Sequence, residues 1–302
     1  MGKSTDNHLK DDKRIFVKPG AEINLKDYDT DYTAGFKNKE DAEEKLQADI
    51  ASLTELQDKL YSSCSHSLLI VFQAMDAAGK DSTIKHVMSG VNPQGCDVTS
   101  FKLPNSVELS HDYLWRIHKN APVKGKIEIF NRSHYEEVLV TRVHPEILLK
   151  QNIPGIDSPD KVDEEFWKRR YKNICEFEKM LFDSGTIILK FFLHVSKKEQ
   201  KKRFLARIDK PQKNWKFSLA DLKERALWND YKKAYEKALT NTSKDYAPWY
   251  IIPADNKWFM RAAVGDIIVG TLSELNLKYP QITDAEKEEL AKAKASLLSE
   301  PD

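Results

Sequence analysis

The residues best suited to chemistry form the segment Ala74-Met75-Asp76-Ala77-Ala78-Gly79-Lys80, which follows an apolar run and precedes a helical one. This segment fits a phosphate-binding loop if Ala74 is accepted where the pattern has its first glycine. Backbone N–H groups at the start of the next helix, supported by the helix dipole, would hold phosphate oxygens, and Lys80 would reach the phosphoryl group being transferred. The spacing therefore predicts an anion site that comprises Asp76, Ala77, Ala78, Gly79, Lys80, Asp81 and Ser82.

Two carboxylates flank the lysine of this loop. Asp81 stands where a Ser or Thr hydroxyl usually meets magnesium, and Ser82 follows one place late. Asp76 and Asp81 make sense beside nucleotide phosphates mainly if a divalent cation lies between carboxylate and phosphate. The alternative interpretation is a plain turn with a capping aspartate, but the order of strand, glycine, lysine and helix favours phosphate binding.

Further polar residues follow the next two predicted strands. Lys102 comes after the second strand, at the expected carboxyl edge of the sheet, where open α/β folds bind ligands. Asn131 follows the third strand, at the position where a second acidic magnesium group is expected. An amide brings no charge, so Glu137 is expected to replace the missing carboxylate. Arg132 would direct a planar set of donors at phosphate oxygens.

The most basic stretch of the chain runs from 197 to 216, with nine Lys or Arg residues against Glu199 and Asp209. A charge run of this kind is usually a solvated helix face. Here Pro211 breaks the helix and Trp215 adds an aromatic ring beside Lys213 and Lys216, which indicates a lid that closes on an anion. We therefore predict a lid at about 197–218.

These residues need a scaffold that brings strand ends together. Apolar and β-branched runs predict five strands at 68–72, 97–101, 126–130, 186–195 and 249–252. Helical periodicity predicts intervening helices, including 38–60, 163–182 and a single helix from 218 to about 239. Alternation of strands and helices implies a three-layer α/β fold, with a five-stranded parallel sheet covered on both faces and a helical lid. We predict an N-terminal arm at 1–37, a main domain at 38–275 and a helical extension at 276–302.

Composition sets few limits on the partners of the 302-residue chain. Its net charge of +1 hides strong local segregation of charge. The three cysteines are widely spaced, which suits neither a disulfide framework nor a structural zinc site and indicates a reducing cytoplasm. The longest apolar runs are far shorter than a membrane span. We expect neither a membrane nor a nucleic acid as a partner.

Several ordered blocks together resemble one known family. They are Ala74-x-Asp76-x-x-Gly79-Lys80, Phe101-Lys102-x-Pro104, His111-Asp112-Tyr113-Leu114-Trp115-Arg116, Asn131-Arg132-Ser133-x-Tyr135-Glu136, the lid block from Arg203 to Ser218, and Ala247-Pro248-Trp249-Tyr250-x-x-Pro253-Ala254-Asp255-x-Lys257-Trp258. The blocks span roughly 15–275 and resemble the polyphosphate kinase 2 family. A chance match of so many blocks in order is implausible, whereas a lone loop motif would carry little weight.

The resemblance implies a P-loop kinase fold related to thymidylate kinase, with inorganic polyphosphate as the phosphoryl donor. Many family members carry Gly at the position of Ala74 and Asp at that of Asn131. Asn131 and Glu137 resemble the subgroup called class III, which phosphorylates both AMP and ADP. We extend this expectation to GMP and GDP, to Mg²⁺ (or Mn²⁺) as the cofactor, and to a homodimer or homotetramer.

The resemblance implies a role for each candidate residue. Lys80, Arg132, Arg203 and Arg207 would hold the phosphates shared by donor and acceptor. Asp76, Asp81 and Glu137 would hold the metal ion directly or through water. Lys213 and Lys216 would follow the polyphosphate chain, together with the loop, Lys102 and Asn131.

Two rival functions share parts of this pattern. An ATP-dependent nucleoside monophosphate kinase would have the same loop and lid. A non-catalytic module that binds polyanions or nucleic acid would explain the basic lid but would leave the carboxylates around Lys80 without a purpose.

The first prediction concerns Lys80. Lys80→Ala should abolish phosphoryl transfer and leave the protein folded, because the ammonium group acts on the phosphates and does not support the core. Steady-state turnover measures the activity of the wild-type and variant proteins, and circular dichroism measures whether each is folded. Normal turnover by the variant would contradict the proposed site.

Overall fold

A computed structural model describes residues 9–300 of the chain. The strands are β1 (Phe16–Val17), β2 (Ser67–Ala74), β3 (Cys96–Ser100), β4 (Ile127–Asn131), β5 (Thr186–His194) and β6 (Trp249–Pro253). The helices are α1 (Lys39–Ser63), α2 (Lys80–Val87), α3 (Ser106–Leu109), α4 (Trp115–His118), α5 (Glu136–Val143), α6 (Glu164–Asp183), α7 (Lys197–Ile208), α8 (Leu219–Ala226), α9 (Trp228–Thr242), α10 (Lys257–Glu274) and α11 (Asp284–Leu298). Short 3₁₀ turns connect several of them, including Pro211–Lys216 between α7 and α8.

Six strands form one sheet in the order β1-β6-β5-β2-β4-β3. β2 lies at the centre and pairs in parallel with β5 on one side and with β4 on the other, so that Ile70 is paired with both Leu189 and Ile129. Parallel strands bring their carboxyl ends to one edge. The residues that follow β2, β4, β5 and β6 therefore meet there.

The predicted α/β fold is confirmed, and the five predicted strands are the five parallel strands of the sheet. The strand count differs by one. β1 pairs antiparallel with β6 through Phe16 and Val17, within the segment predicted to be an arm. A two-residue strand is too short to produce a period-2 pattern. Residues 1–8 of the predicted arm lie outside the described residues.

Helices cover both faces of the sheet, as predicted. Leu68, Ile70 and Phe72 of β2 pack with α1, α2 and α10 on one face, whereas Leu69 and Val71 pack with α5, α6 and α9 on the other. Alternate side chains of a strand point to opposite faces, and a strand covered on both faces is apolar throughout. The continuous apolar run of β2 thus reflects its central position.

The helix starts follow local sequence signals. The side chains of Asn38 and Asp163 accept hydrogen bonds from backbone N–H groups at the starts of α1 and α6. The single helix predicted from 218 to 239 is wrong, because the chain breaks at Leu227 and forms α8 and α9.

A buried ion pair joins the sheet to α6. The ammonium group of Lys190 in β5 lies 2.6 Å from a carboxylate oxygen of Glu178, and both side chains are fully buried. Lys190 also donates to the Tyr135 hydroxyl, and His134 contacts the same carboxylate. Burial acts to raise the pKa of Glu178, but Lys190 and His134 outweigh it and hold that pKa below its ordinary value.

The C-terminal helix α11 has no buried residue in the structure. Across residues 9–300, no helix combines the length and the apolar character that a membrane span requires.

The buried pair yields a stability prediction. Glu178→Ala should lower the free energy of unfolding by roughly 3–5 kcal/mol, because it leaves the Lys190 ammonium group buried without its carboxylate. Urea denaturation measures the change. The matched control is Glu176→Ala, since the Glu176 side chain on the same helix is 62% exposed. Equal stability of the two variants would contradict the prediction.

Candidate active site

The loop after β2 contains two residues in the left-handed backbone region. Ala77 and Gly79 both have positive φ, at 61° and 115°, and Gly79 caps the start of α2. A side chain at Gly79 would also place its Cβ 3.1 Å from the Met260 methyl group. Glycine avoids the strain of this conformation, whereas Ala77 must tolerate it.

Lys80 lies inside the loop that it terminates. Its ammonium group donates to the carbonyl oxygen of Ala74 at 3.1 Å, which holds the side chain across the mouth of the loop. Burial lowers the pKa of Lys80 and the Arg132 guanidinium adds to this effect, while the carboxylates of Asp76, Glu136 and Asp81 oppose it. Bound phosphate would add negative charge and favour the ammonium form further.

The ends of β2 and β4 bring four predicted residues together. The Asn131 amide donates to a carboxylate oxygen of Asp81 at 2.8 Å, and a guanidinium nitrogen of Arg132 lies 3.7 Å from a carboxylate oxygen of Asp76. Arg132 also has a positive φ of 65°, unusual for a residue with a side chain. Strained backbone held by its surroundings is common at functional sites.

Of the two adjacent glutamates of α5, only Glu136 faces this site. Glu136 shares a cleft with Asp76 and Arg132. Glu137 is buried on another side of the helix, where it accepts hydrogen bonds from Arg170 at 2.9 Å and from Gln151 at 2.6 Å. Consecutive helical side chains diverge by about 100°. The structure therefore corrects the predicted metal ligand Glu137, which is committed to an ion pair with α6.

Burial raises the pKa of Glu136, although the positive charges of Arg132 and Lys80 oppose the shift. Arg132 and Lys80 thus both act as positive charges on the Glu136 carboxyl group.

Arg203 also departs from the prediction. Its side chain is only 7% exposed, and its guanidinium donates to the carbonyl oxygens of Ala77, Ala78, Ala254 and Asp255 and to the carboxylate of Glu199. A guanidinium has five N–H groups, and here five acceptors meet them. The expectation that Arg203 faces the phosphates is corrected, because its donors are committed to the protein. The Glu199 N–H group donates to the Ser196 hydroxyl at the start of α7, but the Glu199 carboxylate contacts Arg203 and does not return to the Ser196 backbone N–H as in a capping box.

Arg207 of the predicted lid lies where the end of α7 contacts the turn at Pro211–Lys216 and the start of α8. Arg207 contacts the Lys216 carbonyl at 3.3 Å and lies 3.8 Å from the Asp221 carboxylate, while the Asn214 amide closes the end of α7. The Lys213 charge contributes to a lowered pKa at Lys257, behind the desolvation of that lysine and the charge of Arg203. Burial raises the pKa of Asp221, and the nearby charge of Asp76 adds to the effect. The hydrogen bond from Gln200 to the Asp76 carbonyl places the segment predicted to be a lid beside the loop.

Lys102 and Ser82, two predicted binding residues, have no contact with Lys80 or Arg132 among the hydrogen bonds of the site within residues 9–300. Lys102 is exposed after β3, and β4 separates its strand from β2. The Ser82 hydroxyl accepts a hydrogen bond from Arg261 of α10 at 2.7 Å. Arg261 therefore reaches the start of α2, although its sequence context gave no sign of this.

An aromatic wall lines the cleft beside Asp76 and Arg132. It combines apolar and aromatic side chains with a few polar ones, namely Met75, Leu139, Val140, Trp228, Tyr231, Tyr235, Gln200, Glu224 and Arg225. The periodicity of α9 indicates a core helix, and Tyr235 is indeed buried. Only the packing shows that the same helix also lines the cleft.

Asp76 and Asp81 are the acidic residues best placed to hold a cation. Within residues 9–300, no three His, Cys, Asp or Glu side chains gather as a complete metal cage. Mg²⁺ commonly uses one or two carboxylates together with substrate phosphates and waters. The two loop carboxylates fit that kind of ion.

A parallel sheet whose central strand enters a glycine-lysine loop beside a basic lid defines a P-loop phosphotransferase. The chain belongs to the polyphosphate kinase 2 family, whose sequence pattern matches residues 36–280. The resemblance stated from the sequence is thereby confirmed.

Relatives extend the comparison over nearly the whole chain. An ADP-polyphosphate phosphotransferase of Rhodopseudomonas palustris is 48% identical over 95% of this chain and 98% of its own. An AMP/ADP-polyphosphate phosphotransferase of Meiothermus ruber is 47% identical over 89% and 96%. The crystal structure of polyphosphate kinase 2 from Arthrobacter aurescens is 39% identical, covers 92% of this chain and 98% of its own, and superposes with a TM-score of 0.81.

The adjacent glutamates provide a matched test. Glu136→Gln should lower kcat/KM about a hundredfold, because Lys80 and Arg132, the cations aimed at the phosphates, lose the carboxylate that balances and orients them. Glu137→Gln should instead lower the free energy of unfolding by about 1–3 kcal/mol, because Arg170 loses a charged partner.

The raised pKa of Glu136 fixes the sign of the pH effects. The folded protein holds this proton more tightly than the unfolded chain, so stability falls as pH rises from 4.5, the ordinary pKa of a glutamate, through the raised pKa. Glu136→Gln should therefore be at least as stable as wild type at pH 7, and the wild-type acid limb of kcat/KM should disappear. Urea denaturation and pH-rate profiles test both variants. Equal losses of activity would defeat the distinction between the two glutamates.

Proposed function

We propose that this protein transfers the terminal phosphoryl group of inorganic polyphosphate to AMP and to ADP, giving ADP and ATP. The observation that carries the proposal is the charge set at the loop, in which Lys80 and Arg132 lie among Asp76, Asp81 and Glu136 beside a basic lid. The relative from Meiothermus ruber supports both acceptors through its name.

Transfer would proceed by in-line attack of an acceptor phosphate oxygen on the terminal phosphorus of the donor, while the bridging P–O bond breaks and the polyphosphate chain leaves shortened by one phosphate. Such a reaction needs little covalent help and depends on positioning and charge neutralisation. Lys80 and Arg132 would hold the shared phosphates, and Arg207 would add charge from the lid. Lys213 and Lys216 are both exposed and would follow the polyphosphate chain.

A divalent cation, Mg²⁺ or Mn²⁺, would neutralise phosphate charge at this site. Asp76 and Asp81 would hold it, directly or through water, and Asn131 would keep the Asp81 carboxylate in place through its 2.8 Å hydrogen bond. Glu136, and not Glu137, lies beside this site, because it shares the cleft with Asp76, and it would balance the charges of Lys80 and Arg132.

The aromatic cleft is the proposed place for the acceptor base. Trp228 and Tyr231 offer flat apolar surfaces, and Glu224 and Arg225 offer polar groups at the rim. A stacking surface tolerates either purine, which supports the extension to GMP and GDP. A homodimer or homotetramer remains a prediction. So does a cytoplasmic location, which rests on the three free thiols of Cys64, Cys96 and Cys175.

The function is tested by supplying AMP, ADP, GMP and GDP separately with polyphosphate and magnesium, and by resolving the products by chromatography. We expect ADP and then ATP from AMP, and loss of all transfer when the metal is chelated, because the phosphate charges are then uncompensated. Transfer from ATP in place of polyphosphate would identify a nucleoside monophosphate kinase. Salt-sensitive polyphosphate binding without magnesium-dependent transfer would identify a polyanion-binding module.

A further inference from the structure

Two side chains of α7 donate hydrogen bonds to the backbone of the loop after β2. The Gln200 amide of α7 donates to the Asp76 carbonyl oxygen at 3.0 Å. One turn further along, a guanidinium nitrogen of Arg203 donates to the carbonyl oxygens of Ala77 at 3.1 Å and Ala78 at 2.6 Å. Three consecutive loop carbonyls are thus fixed by two side chains of one helix.

Fixing a carbonyl also fixes the N–H group that follows it. In a planar trans peptide the two groups point in opposite directions. These hydrogen bonds from Gln200 and Arg203, which we call the clamp, therefore turn the N–H groups of Ala77 and Gly79 away from α7. The N–H group of Ala78 donates to the Met75 carbonyl at 3.2 Å and closes the turn. Backbone N–H groups that converge in this way form a concave anion site.

Both clamp residues are held in one orientation. The Gln200 side-chain oxygen accepts a hydrogen bond from Arg225 of α8 at 2.7 Å, and a guanidinium can only donate, so the Gln200 amide nitrogen faces the loop. Arg203 is anchored at its other end by the carbonyl oxygens of Ala254 at 2.6 Å and Asp255 at 3.1 Å, which follow β6. Both side chains are buried, with exposures of 2% for Gln200 and 7% for Arg203.

We propose that Gln200 and Arg203 are positioning residues that keep the loop in its anion-binding conformation without touching the phosphates. The positive φ of Ala77 makes such support necessary, because a left-handed alanine persists only where its surroundings hold it. Arg225 links the clamp to α8, so the lid and the loop share one set of contacts. The proposal rests on the phosphate-binding role of the loop given under Proposed function.

The test measures tripolyphosphate binding by calorimetry at several salt concentrations. Gln200→Ala should raise the dissociation constant about tenfold, as expected for the loss of a buried hydrogen bond. The salt dependence of binding should stay at the wild-type slope, because an uncharged side chain releases no counterions, by analogy with nucleic-acid binding. Arg203→Met should behave in the same way, whereas Arg207→Ala should lower the slope because Arg207 would contact the anion.

Lys201→Ala is the matched control, since Lys201 is exposed on the same helix and its loss removes one positive charge. This variant should bind tripolyphosphate within about twofold of wild type, because the attraction of one exposed charge is weak. Far-UV circular dichroism confirms that each variant is folded. If Arg203→Met does not fold, Gln200→Ala still decides the question.

Wild-type affinity in Gln200→Ala would overturn the proposal. A reduced salt slope in Arg203→Met would also overturn it, since the guanidinium would then contact phosphate directly. Failure of the proposed function is a separate result, because wild-type protein would then bind tripolyphosphate without transferring phosphate to a nucleotide.

Discussion

Repulsion between phosphates is the constraint on which the rest of this structure depends. Two like charges 4 Å apart repel by about 4 kcal/mol at an effective dielectric constant of 20, and both proposed substrates carry several charges. In this fold five parallel strands end at one edge, and cations lie there. Lys80 follows β2, Arg132 follows β4, and the basic helix α7 follows β5. The parallel sheet therefore acts as the frame on which compensating charge is collected.

That charge is balanced within the protein before any anion arrives. Lys80 lies among the carboxylates of Asp76, Asp81 and Glu136, and Arg132 is close enough to both Lys80 and Glu136 to shift their pKa values. Burial lowers the pKa of the lysine and raises that of the glutamate, so each ionised group depends on its neighbours. An entering phosphate would replace part of this internal compensation. The same arrangement explains why carboxylates are tolerated so close to an anion site.

Hydrogen bonds connect α7 and α8 to the loop after β2. Gln200 and Arg203 reach the loop carbonyls from α7, and Arg225 reaches Gln200 from α8, beyond the turn at Pro211–Lys216. Arg207, on the same helix, points to the lid side and contacts Lys216 and Asp221. One helix thus presents a supporting face to the backbone and a charged face to the lid. A movement of α7 would therefore shift the loop backbone that we propose binds phosphate.

The sequence alone determined the features that depend on neighbouring residues. The apolar run of β2 and the glycine-lysine loop were predictable, because periodicity and left-handed turns are local properties. The ordered motif blocks also identified the family, which the comparisons confirmed.

Tertiary structure decided where individual side chains point. Glu136 and Glu137 differ by one position, and only the packing of α5 against α6 assigns the first to the cleft and the second to Arg170. Arg203 belongs to the basic lid in sequence, yet the approach of α7 to the loop and to the end of β6 gives it five protein acceptors. Charge and spacing state what a residue can bind. Contacts between residues distant in sequence select the partner, because burial leaves a charged group only the acceptors that the fold places around it.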